Sequence, residues 1–360
     1  MATASLLVRR MHALLLHDDS RRDTVLDAVR WLGALQAQDY ENSLWAVGVR
    51  TRAATRTTVE RAIAERKIVR TWTMRGTWHL APAADVRWMQ DLLAARQLPA
   101  IRRRSEELGF SEAEVRRARA VVEKVLAGGR VLPRPELIRH LAEAGCRTDE
   151  QCGNHLLRRF GNEGLLCSAV PVNRETTFAL RDEWIRSSTT LNRESSLAEL
   201  ARRYFQSHGP ATADDLAWWS GLPLGEVRVA IAAAGLALAR ENIDGGEHWT
   251  AADAAPPPAL SPVELLPGFD EHLLGFQDRT AVLDDAYAGE VCPGGNGVFR
   301  PTLVVRGRVA GIWKKRETAK QLVLEVRSRA PLAATARRAL EKRAQRLGEF
   351  HGKAAALRLL

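Results

Sequence analysis

Hydrophobic residues recur at helical spacing along most of the chain. From Val25 to Leu35, apolar side chains return every three or four positions, which places them on one face of an α-helix. Because the same pattern recurs in many segments, we expect a mainly α-helical chain. The predicted helices cover residues 4–16, 24–36, 57–66, 83–106, 111–127, 134–144, 150–162, 196–207, 212–220, 224–234 and 331–348.

Short β-rich runs follow pairs of these helices. Residues 68–80 are rich in β-branched and aromatic side chains around Gly76, which predicts a hairpin with a tight turn. Residues 165–170 and 176–180 predict a second hairpin after two further helices. A helix pair followed by a hairpin is typical of a winged helix-turn-helix, a module that binds DNA.

A third copy of this pattern follows a polar linker around Ser187 to Asn192. Residues 212–234 have the shape of a helix-turn-helix, with an Asp-rich helix start and Gly221 at the turn. We therefore predict an α+β fold, mainly α with small β wings, made of three tandem winged helix-turn-helix domains. The predicted domains are 1–128 with the helices that follow the first wing, 129–192, and 193–360 with a β-rich insertion and a C-terminal basic helix.

The last third of the chain is richer in β-structure than the rest. Pro256, Pro257 and Pro258 predict a linker. The stretch 284–296 is rich in Gly and Pro and is not expected to form a regular element, so we expect a functional or mobile loop there. The strands predicted in this region cover residues 263–266, 281–283, 297–305 and 309–314.

The net charge of +10 and the isoelectric point near 10 favour a polyanionic partner. Most of the excess is arginine, whose planar guanidinium binds two phosphate or guanine acceptors at once. An arginine-rich composition can also reflect a GC-rich coding sequence. Nucleic acid is the expected partner, ahead of an anionic membrane surface. Candidate phosphate contacts, each of which also fits a solvated helix face, are Arg102, Arg103, Arg104, Arg116, Arg117 and Arg119.

Neither the N-terminus nor any later window has the uninterrupted apolar length of a membrane span, and the N-terminus does not resemble a signal peptide. We expect a cytoplasmic protein with no membrane partner. The four cysteines form no Cys-x-x-Cys pair and lack histidines at zinc-ligand spacing. We therefore expect reduced thiols and no bound metal.

The segment Gln36-Ala37-Gln38 lies at the end of the second predicted helix. In an α-helix, positions i and i+2 lie about 200° apart around the axis. The two glutamines can therefore serve one site only where the chain has left the helix and become extended. The alternative is a helix end whose polar side chains face water.

Two further segments carry candidate chemistry. An Asp-Glu-His run that begins at Asp270 follows a strand and a Pro-Gly turn, which is typical of a site at a strand end. Asp270 and Asp278 equally fit helix caps. In the first hairpin, Trp72 and Trp78 are either core residues or a wall on which a base stacks.

Four strings in this chain resemble, in the same order, the winged-helix family of AlkZ and YcaQ, bacterial glycosylases that unhook DNA crosslinks. The strings are LGALQAQD, RTWTMRGTWHL, LLPGFDEHLLGFQDR and GVFRPTLVVRGRVAGIW. The resemblance covers the chain from about residue 5 to its C-terminus and implies three winged helices in a C-shaped, basic arrangement that faces DNA. The family's catalytic motif is Gln, an aliphatic or small residue, and then Gln in the AlkZ branch or Asp in the YcaQ branch. Gln36-Ala37-Gln38 matches the AlkZ branch, with Ala where a larger aliphatic residue is expected.

The resemblance implies that Gln36 and Gln38 are catalytic. A carboxamide does not titrate near neutral pH, so neither group is a general base, but both can hold a water by hydrogen bonds. That suffices where the departing base is already cationic, as in a purine alkylated at N7. Because the motif contains no lysine, a Schiff-base lyase step is not expected. We therefore expect a monofunctional DNA N-glycosylase without a cofactor.

Several residues near these segments are candidates for support or DNA contact. Asp39 is either a rival base beside the motif or a polar contact at a helix end. Because a bulky adduct is not readily flipped into a tight pocket, we expect an open site, with a hairpin around residues 292–300 as a candidate probe of the minor groove. The candidates for catalytic support are Asp39, Asp270 and Glu271, and those for DNA contact are Arg75, Trp78, His79, Arg279, Arg300, Lys314, Lys315 and Arg316.

The resemblance implies a substrate of double-stranded DNA that carries alkylated guanine or adenine, including bulky or crosslinked N7-guanine adducts. The AlkZ branch is associated with self-resistance in producers of DNA-alkylating natural products such as azinomycin, so DNA repair or self-resistance is the expected role. The alternative is a non-catalytic winged-helix protein that sequesters lesions or regulates transcription. We expect a monomer, because three modules in one chain can embrace a duplex.

Overall fold

The computed structural model describes residues 2–255 and 260–360, which are divided between two compact units. The first unit comprises Met1–Glu60, Leu197–Trp219 and Pro223–Leu360. The second unit comprises Arg61–Ser196 and Ser220–Leu222. The linker expected at residues 256–258 lies outside the described residues.

The chain combines helices with small sheets, as the sequence predicts. The helices are α1 (Ala2–Ala13), α2 (Val25–Leu32), α3 (Tyr40–Gly48), α4 (Arg56–Ala64), α5 (Val86–Glu107), α6 (Glu112–Leu126), α7 (Arg134–Glu143), α8 (Cys152–Asn162), α9 (Arg181–Trp184), α10 (Arg193–His208), α11 (Ala213–Ser220), α12 (Leu224–Ala234), α13 (Glu271–Leu274), α14 (Asp285–Val291) and α15 (Ala334–His351). The strands are β1 (Leu35–Gln36), β2 (Ile68–Trp72), β3 (Trp78–Pro82), β4 (Leu132–Pro133), β5 (Leu166–Cys167), β6 (Thr177–Leu180), β7 (Leu238–Ile243), β8 (Gly246–Ala251), β9 (Val263–Leu266), β10 (Thr302–Val305), β11 (Arg308–Glu317), β12 (Gln321–Ser328) and β13 (Ala354–Leu359).

The second helix ends earlier than its apolar pattern predicts. α2 stops at Leu32 because Gly33 has a φ of 74°, which breaks the helix and which glycine adopts without steric cost. The chain then runs extended through β1 until Asp39 begins α3. This confirms the break in the helix that a shared role for Gln36 and Gln38 requires.

The first predicted hairpin is confirmed as β2 and β3, which pair antiparallel with Trp72 opposite Trp78. The connection covers residues 73–77 and is longer than the tight turn predicted. Both strands are buried along their length. Helix α8 lies against them, and glycine at 161 permits this approach because a Cβ on Gly161 would overlap the Trp72 ring. The two tryptophan rings lie 3.5 Å apart between centroids and also contact Phe178. Of the two interpretations from sequence, Trp72 and Trp78 are therefore core residues of the second unit.

A second hairpin lies in the same unit. β5 and β6 pair antiparallel, and β4 pairs with the other edge of β6. Helices α7 and α8 precede β5 and β6 in the chain. The order of helix, helix and hairpin expected between residues 134 and 180 is therefore present.

The first unit contains a five-stranded sheet in the order β13-β12-β11-β10-β9. Neighbouring strands are antiparallel, except that β12 and β13 are parallel. Helix α3 is fastened to this region, because the Trp45 indole N–H donates to the Leu265 carbonyl at 2.8 Å. At the end of α3, a Cβ on Gly48 would stand 2.5 Å from the ring of Phe350 in α15. The helix that directly follows Gln36-Ala37-Gln38 is thus held closely against the sheet and α15.

Three predictions for the C-terminal third are wrong. Residues 281–283 form no strand, the stretch 284–296 contains the helix α14, and residues 292–300 form no hairpin, since the next strand begins at Thr302. The Asp284 side chain explains the helix, since it accepts a hydrogen bond from the Ala286 N–H at 3.1 Å and caps the first turn. The Gly- and Pro-rich residues come after this helix and end it.

The strands that lie outside the predicted set are β1, β4, β7, β8, β12 and β13. β7 and β8 form a hairpin whose Asp244-Gly245 turn has φ values of 51° and 82°, which is typical of a two-residue type I′ turn. That Asp-Gly signal is present in the sequence. β13 has an alanine-rich sequence that favours a helix, and it forms a strand because it pairs in parallel with β12.

Within residues 2–255 and 260–360, no single helix has the length and hydropathy to cross a membrane. One bent pair, Ala213–Ser220 with Leu224–Ala237, meets the criterion together by length and composition only.

Candidate active site

The Gln-Ala-Gln segment lies in the first unit, between β1 and α3. Gln36 is nearly buried, with 9% of its surface exposed, whereas Gln38 is exposed. The Gln36 Oε1 accepts a hydrogen bond from the backbone N–H of Gln38 at 3.0 Å. This bond restrains the Gln36 carboxamide. The segment therefore presents one restrained amide beside one amide that faces solvent.

Asp39 begins α3. Its Oδ1 accepts a hydrogen bond from the Asn42 N–H at 2.9 Å, which is an N-cap. Asn42 in turn accepts a hydrogen bond from the Gly268 N–H at 3.1 Å. The first turn of α3 is thus tied both to Asp39 and to the Pro-Gly turn before Asp270. The helix-end contact expected as one alternative for Asp39 is present.

Glu271 connects the Gln-Ala-Gln segment to the interior of the first unit. Its Oε1 accepts a hydrogen bond from the Gln36 backbone N–H at 3.0 Å. Its Oε2 accepts one from the indole N–H of Trp219 at 2.9 Å and lies 3.4 Å from His208 Nε2. Only 1% of the Glu271 surface is exposed. A buried carboxylate therefore stands directly behind Gln36.

His208 is itself fixed on several sides. Its Nδ1 lies 2.8 Å from Ser207 Oγ, and its ring stacks on Tyr204 with centroids 4.6 Å apart. The Tyr204 hydroxyl donates to the Gly275 carbonyl at 2.7 Å. A Cβ on Gly275 would stand 2.5 Å from the His208 ring, so glycine is required for this close approach. The imidazole beside Glu271 therefore has little room to move.

Asp270 has a different set of partners from its neighbour. Its two oxygens accept hydrogen bonds from the two terminal nitrogens of Arg50, at 2.7 and 2.8 Å, and both residues are buried. Oδ1 also caps α13 by accepting the His272 N–H at 2.9 Å. The structure thus places Asp270 in a buried ion pair and a helix cap.

The hydrogen-bond partner of the His272 ring is Gly307, which lies outside the Gln-Ala-Gln segment. Its Nε2 lies 3.1 Å from the Gly307 carbonyl, which places the ring proton on that nitrogen. Burial lowers the pKa of His272 to about 4, an effect that Asp270 opposes and Arg50 reinforces. The ring is therefore a neutral structural group at physiological pH.

The lysine and arginine candidates on β11 differ in exposure. Lys314 is exposed and pairs with Glu325 at 2.9 Å, and Arg316 is exposed. Lys315 is half-buried, with its Nζ 3.0 Å from His351 Nε2. Burial lowers the pKa of Lys315. Lys314 and Arg316 are the residues of this group that solvent-borne phosphate can reach most freely.

The remaining candidates of the first unit flank α14. Arg300 is exposed and donates to the Glu290 carbonyl at 3.3 Å. Arg279 is half-buried, donates from Nε to the Leu273 carbonyl at 2.6 Å, and lies 5.1 Å from the ring of Trp218. Burial lowers the pKa of Arg279. Arg279 is thus anchored inside the first unit and is only partly exposed.

The candidates in the second unit fall into two groups. Trp78 and His79 are buried, with 7% and 1% of their surfaces exposed, and His79 Nδ1 lies 2.9 Å from the Thr77 carbonyl. This burial does not fit the DNA contacts that the sequence predicts for Trp78 and His79. Arg75 is half-buried at the tip of the hairpin, with a φ of 54°.

Trp219, His208 and Arg50 are site residues that the sequence did not reveal. His208 looks like a helix stop before Gly-Pro, and Trp219 looks like an apolar residue of α11. Their partners lie 52 to 220 positions away in the chain. The sequence marks such a residue as a polar side chain within an apolar helical face. Any buried hydrogen bond produces the same pattern, so the pattern does not identify a site residue.

Among the described residues, no group of three or more His, Cys, Asp or Glu side chains is arranged to hold a metal ion. The site therefore consists of amides, one buried carboxylate and the aromatic and imidazole groups that surround it.

Three comparisons place these features beside known proteins. A family model described as "DNA glycosylase AlkZ-like" matches residues 29–350. An interstrand DNA cross-link repair glycosylase from Streptomyces sahachiroi is 25% identical over 305 residues, which are 80% of this chain and 81% of that protein. The solved structure of Streptomyces sahachiroi DNA glycosylase AlkZ is 23% identical and superposes with a TM-score of 0.79, covering 99% of both chains.

Proposed function

Because this chain belongs to the AlkZ-like family of DNA glycosylases, enzymes that hydrolyse N-glycosidic bonds, we propose that it excises N7-alkylated purines from double-stranded DNA. The proposed substrates include bulky and crosslinked N7-guanine adducts. The observation that carries the proposal is the extended Gln36-Ala37-Gln38 segment, in which one amide is restrained by its neighbour's N–H and the other faces solvent.

The chemistry follows from what an amide can do. A purine alkylated at N7 carries a positive charge, so it leaves as a neutral base when the bond to C1′ breaks. The sugar then carries the positive charge of an oxocarbenium ion, and a water oxygen adds to C1′ and releases its proton to solvent. Gln36 and Gln38 can hold that water through carbonyl oxygens and amide protons without any proton transfer. Neutral bases need a proton donor, so we expect them to be poor substrates.

We propose that exposed and half-buried basic side chains contact the DNA. These are Arg75, Arg279, Arg300, Lys314, Lys315 and Arg316. We further propose that the helix–hairpin segments are three tandem winged-helix modules, which bind the duplex by phosphate contacts. On this proposal the protein acts as a monomer in the cytoplasm, in DNA repair or in self-resistance to a DNA-alkylating natural product.

A gel assay for abasic sites tests the activity. Duplexes that contain N7-methylguanine or a bulky N7 adduct are incubated with the protein and then treated with hot alkali, which cleaves at abasic sites. We expect strand breaks from both duplexes with wild-type protein, and a loss of roughly 10²-fold or more in single-turnover rate for Gln36→Ala/Gln38→Ala. Wild-type activity in the double variant would show that Gln36 and Gln38 are not catalytic. A shifted band without abasic product would instead favour a lesion-binding protein.

The name of the Streptomyces relative motivates a sharper test of substrate size. We propose that this chain also unhooks interstrand crosslinks formed through N7 of guanine. A crosslinked duplex labelled on one strand runs slowly in a denaturing gel, and unhooking restores the mobility of single strands. Retained crosslinks under conditions that clear N7-methylguanine would restrict the enzyme to monoadducts.

A further inference from the structure

We propose that Glu271 is a positioning residue for the Gln-Ala-Gln segment, with Trp219 and His208 as the groups that hold its carboxylate in place. This inference rests on the proposed glycosylase function. Glu271 acts by binding the backbone N–H of Gln36 and does not contact DNA. The contacts form a continuous path from the interior of the first unit to the candidate site.

The first step of that path is the bond from the Gln36 N–H to Glu271 Oε1, at 3.0 Å. A hydrogen bond to an ionised acceptor is roughly twice as strong as one between neutral groups. β1 is only two residues long and follows a glycine, so it has little regular structure to hold it. The carboxylate therefore supplies a restraint that the strand itself lacks.

The second step fixes the carboxylate. Oε2 accepts the Trp219 indole N–H at 2.9 Å, and His208 Nε2 lies 3.4 Å away. His208 is held by Ser207 and by the Tyr204 ring. Each oxygen of Glu271 thus has its own partners, so rotation of the carboxylate would break bonds at both ends.

The third step links this restraint to the reaction. The oxygen of Gln36 is bonded to the Gln38 N–H, so a shift of the Gln36 backbone moves both amides together. A misplacement of about 1 Å in a group that positions a reactant can cost roughly 10²-fold in rate. We therefore expect loss of the Glu271 contact to lower the rate of excision while DNA affinity is retained.

Glu271→Gln is the central variant, because it keeps the size of the side chain. One end of the new amide must donate where the carboxylate accepted, and both the Gln36 N–H and the Trp219 N–H are donors. If Oε1 still accepts from the Gln36 N–H, the new NH2 group faces the Trp219 indole N–H. Two donors then oppose each other and the hydrogen bond to Trp219 is lost. We expect the single-turnover excision rate on N7-methylguanine DNA to fall roughly 10- to 100-fold, as for other residues that orient a reacting group.

A second substitution predicts rescue. Trp219→Phe removes the indole N–H that opposes the new amide, and His208 Nε2 can then accept from it. We expect Trp219→Phe alone to slow excision less than Glu271→Gln does, because His208 still lies beside Oε2, and we expect Glu271→Gln/Trp219→Phe to recover a large part of the rate lost in Glu271→Gln. A purely structural role would make the double variant worse than either single variant.

Glu264 offers a matched control in the same unit. It is a fully buried carboxylate on β9, paired with Arg21 at 3.2 Å and with Arg343 at 2.8 Å. Glu264→Gln therefore makes the same chemical change in a comparable environment. We expect it to lower the melting temperature and to leave the excision rate per folded molecule within about twofold of wild type, as for a change remote from the reacting groups.

Hydrogen exchange gives a readout that does not depend on activity. Peptides that span residues 35–42 should exchange their amide protons faster in Glu271→Gln than in wild type, and at the wild-type rate in Glu264→Gln. Unchanged exchange and an unchanged excision rate in Glu271→Gln would overturn the inference. Inactive wild-type protein would instead refute the proposed function, and accelerated exchange would still support the positioning contact.

The second unit carries an independent feature, a cleft of about 630 Å³. The arginines that line it are Arg75, Arg96, Arg103, Arg104 and Arg158, and its lining contains no Asp or Glu. Arg104 pairs with Glu107 at 3.0 Å. In the part of the chain that the structure describes, Arg96, Arg103 and Arg158 form no ion pair and are exposed, so the cleft keeps a net positive charge.

We infer that this cleft binds the phosphodiester backbone of DNA. The buried His155 at its wall agrees with a positive environment, because burial and then Arg158 and Arg104 lower its pKa. Phosphate is the ligand that clustered guanidinium groups recognise best. The contact is independent of sequence and of damage, so it should appear with undamaged duplex.

Salt dependence tests the cleft directly. Fluorescence anisotropy of an undamaged duplex is measured between 50 and 200 mM salt, a range over which phosphate contacts weaken strongly. We expect Arg96→Gln/Arg103→Gln/Arg158→Gln to reduce the slope of log K against log salt by roughly two to three, since each phosphate contact contributes about 0.9.

Three exposed arginines elsewhere in the second unit provide the control, namely Arg130, Arg139 and Arg186. Their triple glutamine variant carries the same change in net charge, and we expect its slope to stay within about one of wild type. Equal slopes for the two triple variants, or a wild-type slope in the cleft variant, would overturn the inference.

Discussion

Asp270 and Glu271 are adjacent acidic residues, and both are buried in the first unit. Asp270 binds the guanidinium of Arg50 with both oxygens, so the positive charge of Arg50 neutralises its negative charge. Glu271 receives the N–H of Gln36 and the indole N–H of Trp219, and so reaches the candidate active site. The two acids are equally buried and differ in their donors, and the donor is what distinguishes the ion-paired Asp270 from Glu271, for which we propose a positioning role.

The largest expected effect is on the Asp270 side of this comparison. Asp270→Asn leaves the Arg50 charge buried without its anion, and breaking such a pair costs about 3–5 kcal/mol. We expect urea unfolding to show this loss of stability, with the excision rate of the folded fraction close to wild type. An excision defect without a stability defect would exchange the roles of the two acids.

The second effect concerns pH and the neighbouring His272. Burial lowers the pKa of His272 from 6.5 to about 4. Between these values the unfolded chain binds a proton that the folded chain does not, so stability falls as the pH falls through this window. The contribution is roughly 3 kcal/mol at 1.36 kcal/mol per pKa unit.

Urea unfolding at a series of pH values measures this contribution. His272→Gln keeps a donor for the Gly307 carbonyl and should flatten the dependence of stability on pH. Burial also lowers the pKa of His351 to about 4, so His351→Gln is measured beside it. An unchanged dependence in His272→Gln would show that this ring does not titrate with folding.

The third effect concerns the packing of His208, the imidazole beside Glu271. Gly275→Ala places a Cβ 2.5 Å from the His208 ring, so the imidazole beside Glu271 must shift. Overpacking of this kind costs about 1–3 kcal/mol. We expect a lower melting temperature together with slower excision, and the second change distinguishes this position from Asp270. Wild-type excision would show that His208 can move without disturbing the Gln-Ala-Gln segment.

The smallest expected effect is at Asp39. Asp39→Ala removes the N-cap of α3 and should cost about 1 kcal/mol, whereas Asp39→Asn keeps a good cap. We expect Asp39→Asn to retain both stability and excision. Loss of excision with intact DNA binding in Asp39→Asn would make Asp39 the general base.

The local elements were predictable where local chemistry decides them. The hairpin of β2 and β3, the helices α5 to α8 and strand β9 follow from side-chain periodicity and from glycine positions. The helix over 24–36 was predicted too long because its apolar pattern continues past Gly33, and the backbone conformation of that glycine breaks it. α14 was missed because one capping aspartate outweighs the Gly- and Pro-rich residues that follow it.

The sequence by itself determined the Gln-Ala-Gln motif, the need for an extended chain at that point and the family resemblance, which the family model confirms. These depend on residue identity and on spacing within a few positions. Only the tertiary structure decided that Glu271 binds Gln36 while Asp270 binds Arg50. These partners are 235 and 220 positions apart in the chain. Adjacent acids are equivalent in a sequence pattern, and they become different when folding gives each carboxylate its own buried donors.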